Sequence, residues 1–176
     1  DFLWEGLTAS PRENAYRMKM EYSFGDAYRD GPLTLGMHKR GSHYDIVETD
    51  RCELVHEDLN LALRETLRFF RERKVPFYHK LRHEGYLRFL LARRGTHRKE
   101  LLLDLVTSTQ LPTEEERELL RAWRELMCSL PFEASLKGLL HTVTDSVADA
   151  VKNERTEVLF GEAQFEEELS GLRFAI

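Results

Sequence analysis

Seven histidines and two cysteines set the limits on metal and nucleophile chemistry in this chain. His38, His43, His56, His79, His83, His97 and His141 are scattered, and only His79 and His83 share the i, i+4 spacing of a helical turn. Such a pair can ligate zinc. No glutamate follows the first histidine as a metalloprotease helix requires, however, and a closed zinc site needs four ligands. A surface or RNA-facing role suits this pair better. No GxSxG turn is present to expose a serine nucleophile. Asp145 and Asp149 in "TDSVADAV" read as a solvated turn before a strand. Cys52 follows a strand-like run, where a lone cysteine is usually a small buried hydrophobe. A cluster role would need three further ligands that this segment does not supply. Cys128 is expected on the inner side of a helix with Leu120 and Trp123.

The cations are the other candidates for chemistry. Arg17 and Lys19 should project from one strand face, Lys39 and Arg40 occupy a turn, and Arg82, His83 and Arg88 cluster with Tyr86 in "LRHEGYLRF". Cations beside aromatic rings suit phosphate contact with base stacking on single-stranded RNA. The alternative is that these are ordinary surface cations and that "RETLRFFRERK" is a solvated helix face.

These residues must be positioned by recognisable elements. "AYRMKMEYSFGD" alternates, with Tyr16, Met18, Met20, Tyr22 and Phe24 on one face and Arg17, Lys19, Glu21 and Ser23 on the other. "LTLGMHKRGSHYDIVE" reads as two short strands around "KRGS", extending an antiparallel meander. Leu59, Leu63, Leu67 and Phe70 recur at helical spacing between Glu57 and Lys74, and Pro76 is expected to stop that helix. "EGYLRFLLARRG" and "KELLLDLVTST" form a hairpin with the basic tip "RGTHRK". "TEEERELLRAWRELMCSL" opens with Thr113 as N-cap and Glu116 three residues on, a capping-box pattern. "LKGLLHTVTD", "RTEVLFG" and "LSGLRFAI" read as three further strands. The expected fold is α+β, a largely antiparallel sheet with two main amphipathic helices. No glycine-rich loop follows a strand, so no nucleotide-binding fingerprint is present.

A length of 176 residues with 41% hydrophobic content fits one domain with its own core. Two cysteines make no disulfide framework, which points to a reducing compartment, the cytoplasm. No apolar stretch approaches the roughly 20 residues that span a bilayer. The net charge of −5 is unevenly spread: Arg64–Lys99 carries twelve Lys or Arg against three Glu, and the remainder carries fourteen against twenty-eight acids. A basic patch on an acidic chain is therefore expected. Opening on Asp1 without methionine, the sequence reads as a piece of a longer polypeptide.

Taken in order, "YRMKMEYSFGD", "DGPLTLGMHKRGSHYDIVETDRC", "FYHKLRHEGYLRFLLARRG", "ELLLDLVTSTQ", "LLHTVTDSVADAV", "LFG" and "LSGLRFAI" resemble the middle of the RNA (uracil-5-)-methyltransferases, particularly the 23S ribosomal RNA enzymes. The resemblance runs from about Tyr16 to Ile176. It implies a three-part enzyme: an N-terminal OB-like TRAM domain, a central α+β domain, and a C-terminal Rossmann-like domain that binds S-adenosylmethionine and holds the catalytic cysteine. Residues 1–176 would be the central domain, with ribosomal RNA or tRNA and the flanking domains as partners. The implied chemistry is thiolate addition to C6 of a flipped uracil, methyl transfer to C5, loss of the C5 proton and release of the enzyme. Neither Cys52 nor Cys128 stands in the family's nucleophile context. By the same resemblance Cys52, in "VETDRC", matches the fourth ligand of a [4Fe-4S] cluster whose other three cysteines lie upstream of the central domain. Arg17 matches the conspicuous arginine of the family's first strand, with Lys19 on the same face. Lys39, Arg40, Arg82, His83 and Arg88 are carried over more loosely as RNA contacts. The competing expectation is a module that braces its neighbours without touching RNA. Gathering of these cations on one face would favour RNA contact, and scattering would favour bracing.

Overall fold

The computed structural model describes residues 2–147 and 155–176. Among them lie β1 (Lys19–Asp26), β2 (Leu33–His38), β3 (Ile46–Glu48), α1 (Glu57–Glu72), β4 (Leu87–Arg94), β5 (Glu100–Thr107), α2 (Thr113–Ser129), β6 (Ser135–Val143), β7 (Arg155–Gly161), β8 (Glu166–Leu169) and β9 (Leu172–Ala175). Seven strands form one sheet in the order β3-β2-β1-β4-β5-β6-β7, and β8 with β9 forms a separate hairpin. The fold is α+β and largely antiparallel, as expected. One pairing departs from that pattern: β5 and β6 run parallel, because α2 carries the chain back between them.

The helices pack on one sheet face because both present a continuous apolar stripe. In α1, Leu59, Leu63, Leu67 and Phe70 are all at most 2% exposed, and they meet Tyr22, Leu35, Leu90 and Leu103 from alternate strand positions. Helix α2 contributes Leu120, Trp123 and Met127, and the Trp123 indole donates to Thr66 Oγ1 of α1 at 3.2 Å. The other sheet face has a small cluster of Leu102, Leu140 and Phe165.

Four local expectations are corrected. Helix α1 stops at Glu72, ahead of Pro76. Lys74 enters the left-handed region at φ 54°, its N–H donates to Arg71 O and the Val75 N–H donates to Phe70 O, which together form a Schellman closure. Thr113 is the first helical residue of α2, not its cap. Pro112 takes the cap position without a side-chain bond, and Glu116 turns inward to accept from the Tyr86 hydroxyl at 3.1 Å. Cys128 is exposed, because Met127 takes the inner position at the end of α2. "LSGLRFAI" is not one strand: Ser170 and Gly171, at φ 52° and 77°, make the tight turn between β8 and β9. In addition, Tyr16 and Met18 precede β1 and are 49% and 37% exposed, while Met20, Tyr22 and Phe24 are buried as the alternation requires.

Two polar links fix the layers. Asp58, in the first turn of α1, accepts from Arg94 Nε at 2.7 Å and from the backbone N–H groups of Glu133 and Ala134 at 2.7 and 3.1 Å. This joins helix, sheet and the segment entering β6. The basic β4–β5 tip, at Thr96–Arg98, is clasped by the C-terminal hairpin through Glu166 and Glu167. Asp145 accepts from the backbone N–H and hydroxyl of Thr109 at 2.9 and 2.7 Å, so it ties two loops together. Asp149 lies outside the described residues.

Candidate nucleic-acid interface and the setting of Cys52

The turn between β2 and β3 and the loop preceding β4 are about forty residues apart in sequence and meet in space. In the turn, Gly41 adopts φ 82° and Ser42 Oγ accepts from the Tyr44 and Asp45 N–H groups, which holds Lys39–Tyr44 in a compact projection. In the loop, His79 Nδ1 accepts from the Leu81 and Arg82 N–H groups, and His83, at φ 55°, contacts the Tyr78 hydroxyl at 3.2 Å. Lys80 Nζ approaches His38 Nε2 to 3.3 Å, closing the two segments around an open pocket of about 350 Å³. The pocket is lined by His38, Ser42, His43, Tyr44, Lys80 and Leu81. Tyr44 is 53% exposed and Leu81 66% exposed, so a flat ring has apolar surface to lie on beside several cations.

Lys39, Arg40, Arg82 and His83 are exposed on the two segments that bound this pocket, although none of them lines it. Lys39 is tempered by Asp45, 3.8 Å from its Nζ. His79 and His83 do not lie on a helix. They shape the loop, and no set of three His, Cys, Asp or Glu suited to a metal ion occurs among the described residues.

Arg17 and Lys19 are exposed but stand elsewhere. The Arg17 N–H donates to Leu54 O, and Lys19 opens β1 with Glu21 3.8 Å away. Asp26, at the far end of β1, is the residue bridged to Asp45 beside the first patch. Seven residues of strand separate Lys19 from it, roughly 23 Å at the usual rise. The cations therefore form two groups.

Arg88 differs from the other six. It is 5% exposed, it donates to the carbonyls of Thr144 and Ser146 at 2.8 and 2.7 Å, and its guanidinium stacks 4.3 Å from the Tyr78 ring centroid. A bulge between Leu87 and Phe89 breaks the alternation there and allows the arginine to turn inward. Its donors are spent on holding loops, so it is left out of the interface below. Sequence reasoning missed Lys80, His43 and Tyr44. Their signal was present, since Lys80 sits within "FYHKLRH" and the other two follow "KRGS".

Cys52 is half-buried against the main core, near the buried Tyr22 hydroxyl, and its carbonyl accepts from Asn60 Nδ2 at 3.2 Å. It is a single thiol, so the donors of this chain alone do not make a cluster site. The thiol of Cys128, on an exposed residue but partly desolvated by its neighbours, is pushed up, with Arg124 offsetting some of the rise, the opposite of an activated nucleophile.

The fold has a counterpart among solved structures. The fold matches the crystal structure of Pyrococcus abyssi tRNA (uracil-54, C5)-methyltransferase in complex with S-adenosyl-L-homocysteine, with a TM-score of 0.66 over 95% of this chain and 36% of that one, at 18% identity. The sequence is then the more specific comparison. The chain is 44% identical over its whole length to a protein named uncharacterized RNA methyltransferase from Caldanaerobacter subterraneus, and 38% identical over 175 residues to one so named from Clostridium acetobutylicum. It spans 38% and 37% of those two proteins. No family model matches. The chain is thus homologous to a stretch of proteins named RNA methyltransferase, in agreement with the resemblance carried by its ordered motifs. No helix among the described residues is long and apolar enough to cross a membrane.

Proposed function

We propose that this chain is the RNA-positioning central domain of an S-adenosylmethionine-dependent RNA (uracil-5-)-methyltransferase whose catalytic domain lies outside residues 1–176. The observation that carries the reading is the coincidence of two independent likenesses over nearly the whole chain: sequence to RNA methyltransferases and fold to a uracil-C5 methyltransferase. The patch around Lys39, Arg40, Lys80 and Arg82 is the first proposed RNA contact, and Arg17 with Lys19 the second. Phosphate contacts make binding salt-dependent, with a log–log slope of about 0.7 per neutralised phosphate on a single strand.

The test uses the whole protein, labelled methyl donor and ribosomal RNA or tRNA. Incorporation should appear as C5-methyluridine. Lys39→Ala with Arg40→Ala is expected to weaken RNA binding about tenfold and to reduce its salt slope. Arg17→Ala with Lys19→Ala should do the same if the strand-end pair touches RNA. Unchanged affinity and methylation in either double variant removes that pair from the interface. The bracing alternative draws support from the separation of the two groups, and it predicts that neither double variant affects RNA affinity.

In the same reading Cys52 would supply one of four thiolates to a [4Fe-4S] cluster, with three from outside this chain. Iron content and visible absorbance of the whole protein purified anaerobically should both fall in Cys52→Ala. A colourless, iron-free wild type would end the idea.

A further inference from the structure

Helix α2 carries Arg117, Arg121 and Arg124 at i, i+4 and i+7, a spacing that puts three guanidinium groups on one helix face over a rise of about 10 Å. That face borders a groove of about 520 Å³ against β7, the edge strand of the large sheet, and Arg155 at the start of β7 lines the groove from the other side. The acids lining it are Glu116 and Glu157. Glu116 is withdrawn, its side chain 15% exposed and bonded to the buried Tyr86 hydroxyl. Arg117 reaches Glu114 at 2.9 Å in an exposed pair that water and salt weaken. Among the described residues no carboxylate pairs with Arg121, Arg124 or Arg155.

Helical arginines amid this many glutamates would ordinarily be expected to pair along the helix. Arg117 does so with Glu114, whereas Arg121 and Arg124 face a channel instead. Guanidinium groups present planar donor forks that fit phosphate oxygens in pairs. The loop before β4 is tied to the segment that leads into α2: Gln110, three residues before α2, donates to His83 O at 2.8 Å and accepts from the Gly85 N–H at 3.0 Å. The loop bearing Lys80 and Arg82 therefore abuts the entrance to α2.

We propose that the α2–β7 groove binds the phosphodiester backbone of single-stranded RNA, extending the path that begins at Lys39 and Arg40. The inference rests on the RNA-positioning reading and adds a binding surface to it. An RNA strand crossing the Lys80 pocket would continue along α2, its phosphates on Arg121, Arg124 and Arg155, with β7 as the far wall.

The experiment measures binding of a fluorescent single-stranded RNA by the 176-residue chain across a salt series. Arg121→Glu with Arg124→Glu is expected to weaken binding at least tenfold and to lower the log–log salt slope by about 1.4, the share of two phosphates. Arg121→Gln with Arg124→Gln should give a smaller loss with the same reduction in slope, and it carries the test if circular dichroism shows the glutamate variant misfolded. Wild-type affinity and slope in the folded glutamine variant overturn the groove. If Lys39→Ala with Arg40→Ala weakens binding while the α2 variants do not, the groove fails and the RNA-positioning reading stands. Absence of RNA binding by the wild-type chain overturns the groove too, and methylation by the whole protein then decides the wider reading separately. Polyglutamate competing as well as RNA would mark an acidic protein segment as the occupant and overturn the proposal.

Discussion

Asp58→Ala is expected to lower the unfolding free energy by about 3–5 kcal/mol, because it removes the nearest partner of a buried cation together with the acceptor of two backbone N–H groups. Arg94 and Asp58 have side chains only 9% and 4% exposed, and removing the carboxylate leaves two backbone N–H groups unpaired and the guanidinium with only the longer contacts to Gly95 O at 3.4 Å and Glu133 at 3.6 Å. Burial by itself would raise the carboxyl pKa. The Arg94 hydrogen bond and the Glu133 and Ala134 N–H groups outweigh it and hold the group below the usual range. A depressed acid pKa gives stability that is present above the unfolded value and lost as pH falls through the folded one. Urea unfolding at pH 7 and pH 3 checks both parts. The variant should be much less stable at neutral pH and should have lost part of the wild type's acid sensitivity. A loss under 1 kcal/mol at pH 7 would mean that this link between α1, β4 and β6 does not hold the layers together.

The second large effect concerns two buried groups on neighbouring strands that oppose each other. Asp104 on β5 is 8% exposed and accepts from Thr142 Oγ1 at 2.9 Å, while its Oδ1 has no partner, and burial pushes its pKa up to about 6. Its stabilising contribution is complete below the unfolded value and disappears as pH rises through about 6. His141 on β6 is 1% exposed, with Nε2 2.8 Å from Thr107 Oγ1, and burial lowers its pKa to about 4, with Arg155 assisting. Its contribution is complete above the unfolded value and is lost as pH falls through about 4. Between those limits acid strengthens the fold at Asp104 and weakens it at His141, each by about 1.4 kcal/mol per pH unit, so the two nearly cancel.

Asp104→Asn removes one side of this balance. It is expected to stabilise the chain by about 1–3 kcal/mol at pH 7, since the amide oxygen can still accept from Thr142 and the buried charge is gone. The variant should then lose stability steeply from pH 6 towards pH 4, where the wild type stays nearly level. His141→Gln should show the reverse, gaining stability on acidification over the same range. A pH series of urea midpoints reads both. Parallel wild-type and Asp104→Asn curves would mean that Asp104 does not titrate in this window.

The candidate interface was legible in part. Lys39 and Arg40 follow from a glycine-containing turn between two strands, and such turns lie on the surface whatever the topology. Arg82 and His83 follow from a polar loop ahead of an apolar strand. Arg88 was misplaced, because its exposure depends on a bulge and on the carbonyls of Thr144 and Ser146, both set by strands distant in sequence. The α2 arginines gain a role only when β7, some thirty residues later, is placed beside them with Arg155.

Local periodicity determined the apolar stripes of α1 and α2, the alternation at Met20, Tyr22 and Phe24, the β4–β5 hairpin and hence the α+β class, because each depends only on residues a few positions apart. The ordered motifs determined the kinship to RNA methyltransferases. The parallel pairing of β5 with β6, the outward turn of Cys128, the separation of Lys19 from Lys39 and the closure of His38 on Lys80 were decided by the tertiary structure alone. They depend on which strands become neighbours and on the phase at which each helix meets the sheet, and those choices are made by burial summed over the whole core rather than by any local segment.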